Sequence, residues 1–294
     1  MWRSERGTPN SELNVMETEE LITGKVVLRI GGQPLEIEMT VPAKPVKPHR
    51  MLPVFQQMTN AIVGLSVNAV KAAGGNISCK AGCGACCRQP VPLAEIEVYR
   101  IAELVESMSE PRRTEIKTRF AAANEHFTKM NWYERIREIG SKAKPVGEDY
   151  VPTELLDEAM RYFHEGIPCP FLEDESCSIH ESRPLACREY LVTSPAENCA
   201  RPSATNIAKV PLLMNPSRSL RYVGRTGKLA HWGLVPLVRA LEFAEAYPET
   251  FVEKKGERWA ADFFQNLTGT EIPKKGIKPP KPTPHKPRAK KRKK

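Results

Sequence analysis

"SCKAGCGACCRQP", residues 78–90, places four cysteines within nine positions: Cys79, Cys83, Cys86 and Cys87. The chain has 8 cysteines in 294 residues, so about a quarter of one is expected in such a window by chance. A run of thiols this dense points to disulfides, a catalytic cysteine or a metal. Disulfides fit poorly. Adjacent Cα atoms lie ~3.8 Å apart, whereas a relaxed disulfide spans ~4.4–6.8 Å, so Cys86 and Cys87 cannot bridge each other without strain. The opening residues, "MWRSERGTPNSELNVMETEE", have no apolar core or cleavage-site pattern of a secretory signal. No run of ~18 apolar residues predicts a membrane span. The expectation is a cytoplasmic chain whose thiols stay reduced. A catalytic thiol finds no nucleophile-and-base pattern beside it.

Metal is left, and the rest of the chain supplies donors for it. "IPCPFLEDESCSIHESRPLACREYLVTSPAENC", residues 167–199, carries Cys169, Cys177, Cys187 and Cys199, with gaps of 7, 9 and 11 residues. A tetrahedral metal site takes four thiolates, and so does an iron–sulfur cluster. Four plus four thiols therefore allow two full sites, or one site with spare thiols. Gly82 and Gly84 let the loop turn tightly, so that its N–H groups can point at sulfur. Lys80, Arg88, Arg183 and Arg188 stand beside cysteines and can offset thiolate charge. Cys199, the most distant member, reads equally as a small buried hydrophobe. Zinc sites usually show two paired Cys-x2-4-Cys knuckles. A dense run joined by a remote thiol leans instead towards iron–sulfur ligation.

Outward from the cysteines the chain reads as mainly α with a small N-terminal β-hairpin, its helices packed around a cysteine-ligated metal centre. Residues 1–20 are polar and aperiodic, and are expected to be disordered. Residues 21–50 hold the hairpin and a Pro-rich connector. "GKVVLRI" and "PLEIEMTV" alternate around a Gly31–Gly32 turn, with Val27 and Ile37 as typical members of the apolar alternation. Residues 51–270 form the helical cysteine-cluster domain. The first helix spans about 52–73, with Leu52, Phe55, Ile62, Val63 and Val70 on one face and Gly74 and Gly75 as its stop. Pro92 is placed in the first turn of a helix whose apolar face is Leu93, Ile96, Ile101, Leu104, Val105 and Met108. Ser109 is expected to cap the next helix, with Pro111 inside it, and Thr153 to cap another that Gly166 ends. Two more helices are expected at about 234–247 and 249–266.

The net charge of +9 is not spread evenly. From Lys274 onward there are 11 Lys or Arg and no acid, so residues 1–273 carry a net charge of −2. Residues 271–294, "EIPKKGIKPPKPTPHKPRAKKRKK", read as a disordered basic tail. Its basic stretch, 274–294, is the candidate for weak contact with nucleic acid, ribosomes or another polyanion. With no aromatic residue to stack on bases, such contact would be non-specific. His231 and Trp232 read as core or helix entry, and His126 as a solvated residue of a polar helix.

Cys79-x3-Cys83-x2-Cys86-Cys87, followed by "PCPFL", "CSIHESRP" and "ACREY", resembles the YkgJ-type cysteine-cluster family, described as a zinc- or iron-chelating domain. A related domain occurs in the flagellin lysine N-methylases. The likeness covers about residues 75–200. It implies metal ligation by Cys79, Cys83, Cys86, Cys87, Cys169, Cys177 and Cys187. Cys199 falls where the motif is looser. It also implies that His180, where the family often has Tyr, packs beside the ligands rather than binding metal, and that Arg183 and Pro184 match the family's "RP". The triad Cys79, Cys83 and Cys86 has the spacing of radical SAM enzymes too. Here, however, a helix precedes it, a fourth cysteine adjoins it and no βα series follows. The expected function is metal binding, iron–sulfur or zinc, with the metal structural or redox-active. A protein-methylase-type enzyme built on the metal domain is the alternative, and a nucleic-acid- or ribosome-associated module using the tail is a further one. No Gly-rich cofactor fingerprint follows a strand, and no catalytic residue is assigned.

Overall fold

The computed structural model describes residues 2–4, 20–30, 33–142, 152–203, 205–229 and 234–269. His231, Trp232, the Gly31–Gly32 turn and the basic tail lie outside them. The expected hairpin is present. Trp2–Ser4 (β1), Leu21–Ile30 (β2) and Gln33–Pro42 (β3) form an antiparallel sheet in the order β1-β2-β3. Ile30 opposes Gln33, which leaves only two residues for the loop. One correction follows. Trp2–Ser4 pair with the open edge of β2 where an irregular N-terminus was expected. Val27 points outward, 56% exposed and opposite Glu36, while Leu28, Ile37, Met39 and Val41 point in. Val26, Val27 and Leu28 are apolar in succession, so alternation alone cannot fix which face of β2 is the inner one.

The connector is less irregular than its prolines suggest. Pro45–Val46 forms β4, and a 3-10 turn at Pro48–Met51 leads into α1, Leu52–Ala72. Leu52, Phe55, Met58 and Ile62 are the fully buried stripe of α1. Gly74 ends the helix with φ +80°, and the Gly75 N–H donates to Val70 O at 2.9 Å.

After the first cysteine loop come Pro92–Ala94 (β5) and Glu95–Glu106 (α2). Pro92 therefore lies in a strand and not in the first helical turn. Glu97, three positions into α2, accepts the Ala94 N–H at 2.9 Å and fixes the helix start at residue 95. Arg112–Lys129 (α3) is preceded by Pro111 and has no side-chain cap from Ser109. Instead the Glu110 carboxylate accepts the Thr114 N–H at 3.2 Å and the Thr114 hydroxyl at 2.8 Å. Trp132–Lys142 (α4) and Thr153–His164 (α5) follow. Thr153 is the first helical residue of α5 and makes no cap hydrogen bond, and Gly166 with φ +68° terminates the segment.

The second cysteine region holds a short hairpin, Leu172–Glu173 (β6) with Ser176–Cys177 (β7), and a five-residue helix, Leu185–Glu189 (α6). Then come Pro216–Leu220 (α7), Leu234–Pro236 (β8), Ala240–Ala246 (α8), Lys254–Lys255 (β9) and Gly256–Thr268 (α9). The two helices expected at 234–247 and 249–266 thus begin several residues later. Their first residues are spent on strands: β8 pairs with β5, and β9 with β4.

The main core lies between the inner face of β2–β3, α1 and α9. Phe55 and Phe263 stack with centroids 4.6 Å apart, and the Trp259 indole N–H donates to Val46 O at 2.8 Å. A second core joins α2, α3, Phe171 and Ile179, and the Cys169 and Cys177 side chains pack against it. Phe127, Trp132 and Tyr162 form a third core between α3, α4 and α5. Among the described residues no helix is long and apolar enough to cross a membrane.

Candidate metal centre

The first cysteine loop leaves α1 through Gly74 and Gly75 and is stitched to the second region by its backbone. The Ser78 N–H donates to Val192 O at 3.0 Å, and the Cys169 N–H donates to Cys87 O at 2.7 Å. Gly82 takes φ +75°, which an L side chain rarely adopts. Gly84 is needed for a different reason. A Cβ there would stand 2.7 Å from both Leu172 Cδ1 and Glu175 Oε2. The absence of a side chain lets the β6–β7 hairpin close onto the loop. A 3-10 turn, Ala85–Arg88, carries Cys86 and Cys87 and packs against a second, Ala196–Ala200, that carries Cys199.

All eight cysteines are free thiols. Cys79 is exposed, Cys199 is buried, and the others lie between. Their electrostatics sort them into two neighbourhoods. Burial raises Cys199, and then the charges of Cys79, Cys83 and Cys86 raise it further. Burial raises Cys79 too, with Cys86 and Cys83 adding to it. On the other side, burial pushes Cys169 up to about 12, with Cys177 and Cys86 contributing. Burial drives Cys187 well above the usual thiol range, followed by Cys169, Cys177 and Cys86. Cys86 belongs to both neighbourhoods. Its hydrogen bond with Cys87 is the largest cause of its own strong upward shift, ahead of burial.

Several groups oppose these shifts and favour thiolate. The Val192 N–H points at Cys79 Sγ at 3.4 Å. The Phe171 and Ile179 N–H groups do the same for Cys169 and Cys177, each two residues beyond its cysteine. Arg183 lowers Cys79, Cys86 and Cys177 together, so one guanidinium serves both neighbourhoods. Of the other expected cations, Arg188 is buried and also lowers Cys177. Arg88 is committed to Glu175 at 2.7 Å, and Lys80 is exposed.

The helix α6, which carries Cys187, is held on three sides. Glu97 accepts the Leu185 N–H at 2.8 Å. Arg188 donates to Asn60 Oδ1 at 3.1 Å and to Arg183 O at 3.0 Å. Glu189 accepts the Ser217 N–H at 2.6 Å. Burial pushes both Glu97 and Glu189 up to about 7, against these donors. Neither acid stood out in the sequence. An Asp, Ser or Thr at position 94 would have flagged Glu97 as half of a capping box, but Ala94 offers no such sign. His180 meets Glu181 at 3.3 Å and also contacts Arg183. His126 lies on the surface, as expected, and contacts Glu165 there at 2.9 Å.

Among the described residues no three His, Cys, Asp or Glu side chains are arranged to hold a metal ion. The donor chemistry nonetheless fits a thiolate-bound metal: eight free thiols on two segments joined by backbone hydrogen bonds, amide N–H groups aimed at sulfur and a shared arginine are what such a group requires. Comparison with known proteins agrees. Residues 78–206 match the CxxCxxCC family model, described as "Putative zinc- or iron-chelating domain". No curated protein and no solved structure matches the chain significantly.

Proposed function

We propose that this protein is an iron–sulfur protein, and that its eight cysteines divide into two four-thiolate sets. Cys79, Cys83 and Cys199 belong to one set and Cys169, Cys177 and Cys187 to the other. Cys86 and Cys87 are shared out, one to each. The observation that supports this reading is that the backbone joins the two cysteine segments, Ser78 N–H to Val192 O at 3.0 Å and Cys169 N–H to Cys87 O at 2.7 Å, with the charge of Cys86 felt by thiols of both. Each set then draws on the dense 79–87 run and on thiols remote from it, a pattern closer to cluster ligation than to paired zinc knuckles. When bound, such a group supplies a covalent cross-link between the two segments and a site for one-electron redox chemistry.

The chain's own groups have definite tasks in this reading. Each thiol gives up its proton on ligation, so binding releases protons and tightens as pH rises. Arg183 and the Val192, Phe171 and Ile179 N–H groups stabilise the resulting negative charge. Purification without oxygen, followed by iron, zinc and acid-labile sulfide analysis, tests the proposal. Iron with matching sulfide is the expected result. Zinc without sulfide would replace the iron–sulfur assignment, and protein without metal would overturn metal binding altogether.

A further inference from the structure

The β6–β7 hairpin closes with a turn of only two residues, Asp174 and Glu175, because Leu172 opposes Cys177 and Glu173 opposes Ser176. Both turn residues have positive φ, 48° and 56°. Two-residue turns of this kind favour Asn-Gly or Asp-Gly, since a Cβ is disfavoured there. Glycine at position 175 would relax the backbone, yet the chain carries glutamate. Its carboxylate makes a two-pronged pair with Arg88, 2.7 Å and 3.1 Å, while Arg88 also donates to Gly84 O at 3.1 Å. On the opposite side of the hairpin, Glu173 pairs with Arg112 and Arg119 of α3 at 3.1 Å and 3.3 Å. The strained tip is thus drawn onto the first cysteine loop by a single ion pair. Beside that pair lies a cleft of about 260 Å³, lined by Ala85, Arg88, Phe163, Glu175 and Ala200. Ala85, Arg88 and Ala200 are next to Cys86, Cys87 and Cys199 in the chain, and Glu175 is two residues from Cys177.

We infer that the Arg88–Glu175 pair is the movable wall of an access cleft. It sets how fast small solutes, above all a hydrated divalent metal ion, reach and leave the thiols. Backbone strain retained at a functional position is the cost of placing a carboxylate where only glycine is comfortable. The role in metal exchange rests on the ligation proposed above, but guarding the thiols does not.

The test therefore has two arms, each comparing the parent with Glu175→Gly, Arg88→Gln and the double variant. In the first arm, metal-free protein is labelled with an aromatic disulfide reagent and each cysteine is followed by mass spectrometry. Labelling of Cys86 and Cys87 should quicken about fivefold, as loss of an exposed pair worth up to about 1 kcal/mol allows. Cys79, already exposed, should label at the parent rate. The double variant should be no faster than either single one. Glu175→Gly should melt no lower than the parent, which separates opening of the cleft from general loosening. In the second arm, metal-bearing protein should release metal to a chelator faster by the same factor, and high salt should speed the parent but not the variants. Labelling of Cys86 and Cys87 within twofold of the parent in both single variants would overturn the inference. So would a double variant whose rate is the product of the two single effects. Protein that purifies without metal but shows the labelling response would sink the ligation and leave the guarded cleft standing.

Discussion

Cys199 shows how one residue's role depends on the fold. Read along the chain, it is the loosest member of the motif. In the structure it is buried against the turn that carries Cys86 and Cys87, and it is coupled to Cys79 and Cys83. Cys199→Ser should therefore cost about as much metal as Cys83→Ser, roughly half of the total if two sets exist. Metal analysis of the two purified variants checks this; full retention in Cys199→Ser would return it to the role of a packing residue. Glu97 makes a second residue-level prediction. Its folded value of about 7 lies above the ordinary 4.5. The fold therefore favours the protonated acid. That contribution is complete below about pH 4.5 and is lost as pH rises through 7, an effect of about 3 kcal/mol in all. Metal-free protein should melt progressively lower from pH 5.5 to 8. Glu97→Gln should flatten the trend but not abolish it, because Glu189 shifts in the same direction.

At the scale of elements, the junction of β9 and α9 is tight enough to measure. Gly256 opens α9, and a Cβ there would lie 2.7 Å from Pro42 O and 2.8 Å from Val41 Cβ. Gly256→Ala should destabilise the protein by about 1–3 kcal/mol through overpacking, read as a lower urea midpoint with an unchanged slope. The same junction marks where sequence reading ends. The helices α1 and α5 were legible because each is stopped by a glycine just beyond its end, and the β2–β3 hairpin because two adjacent glycines between alternating runs mark a turn. The strands β4, β5, β8 and β9 have two or three residues each and exist only through partners far away in the chain. No local periodicity can announce them. Pro92 suits the first residue of a strand as well as the first turn of a helix, so its side chain could not decide. The cysteines were legible through their density. Arg183 was legible as a charge beside the cysteines, though not as the cation shared by both segments; Glu97 and the Glu175 turn were not legible, because each acts on groups that only the fold brings near.

For the whole molecule, charge separates body from tail. The 11 basic residues after position 273 sit on a body of net −2, so any affinity for polyanions should reside in them. Truncation after Pro273 should abolish retention on RNA or DNA columns at low salt, with metal content and melting unchanged. Retention that survives truncation would place the binding surface on the body.

The short strands also bear on where the chain can be divided. The segment that matches the chelating family, 78–206, contributes Ala94, Ile96, Tyr99 and Leu185 to a core whose other members come mainly from β2, β3, α1 and α9, with Val46, Leu220, Val223 and Phe251 beside them. Its β5 is paired with β8, beyond the segment's end. Ahead of it and behind it, β4 and β9 pair with each other and close the chain around it. In this chain the segment leans on both of its flanks. Cut free, it would expose three large side chains and an unpaired strand. The cysteine segment, the hairpin and the last helix therefore stand or fall as one unit, and residues 78–206 produced alone should be less soluble and less resistant to protease than the whole chain.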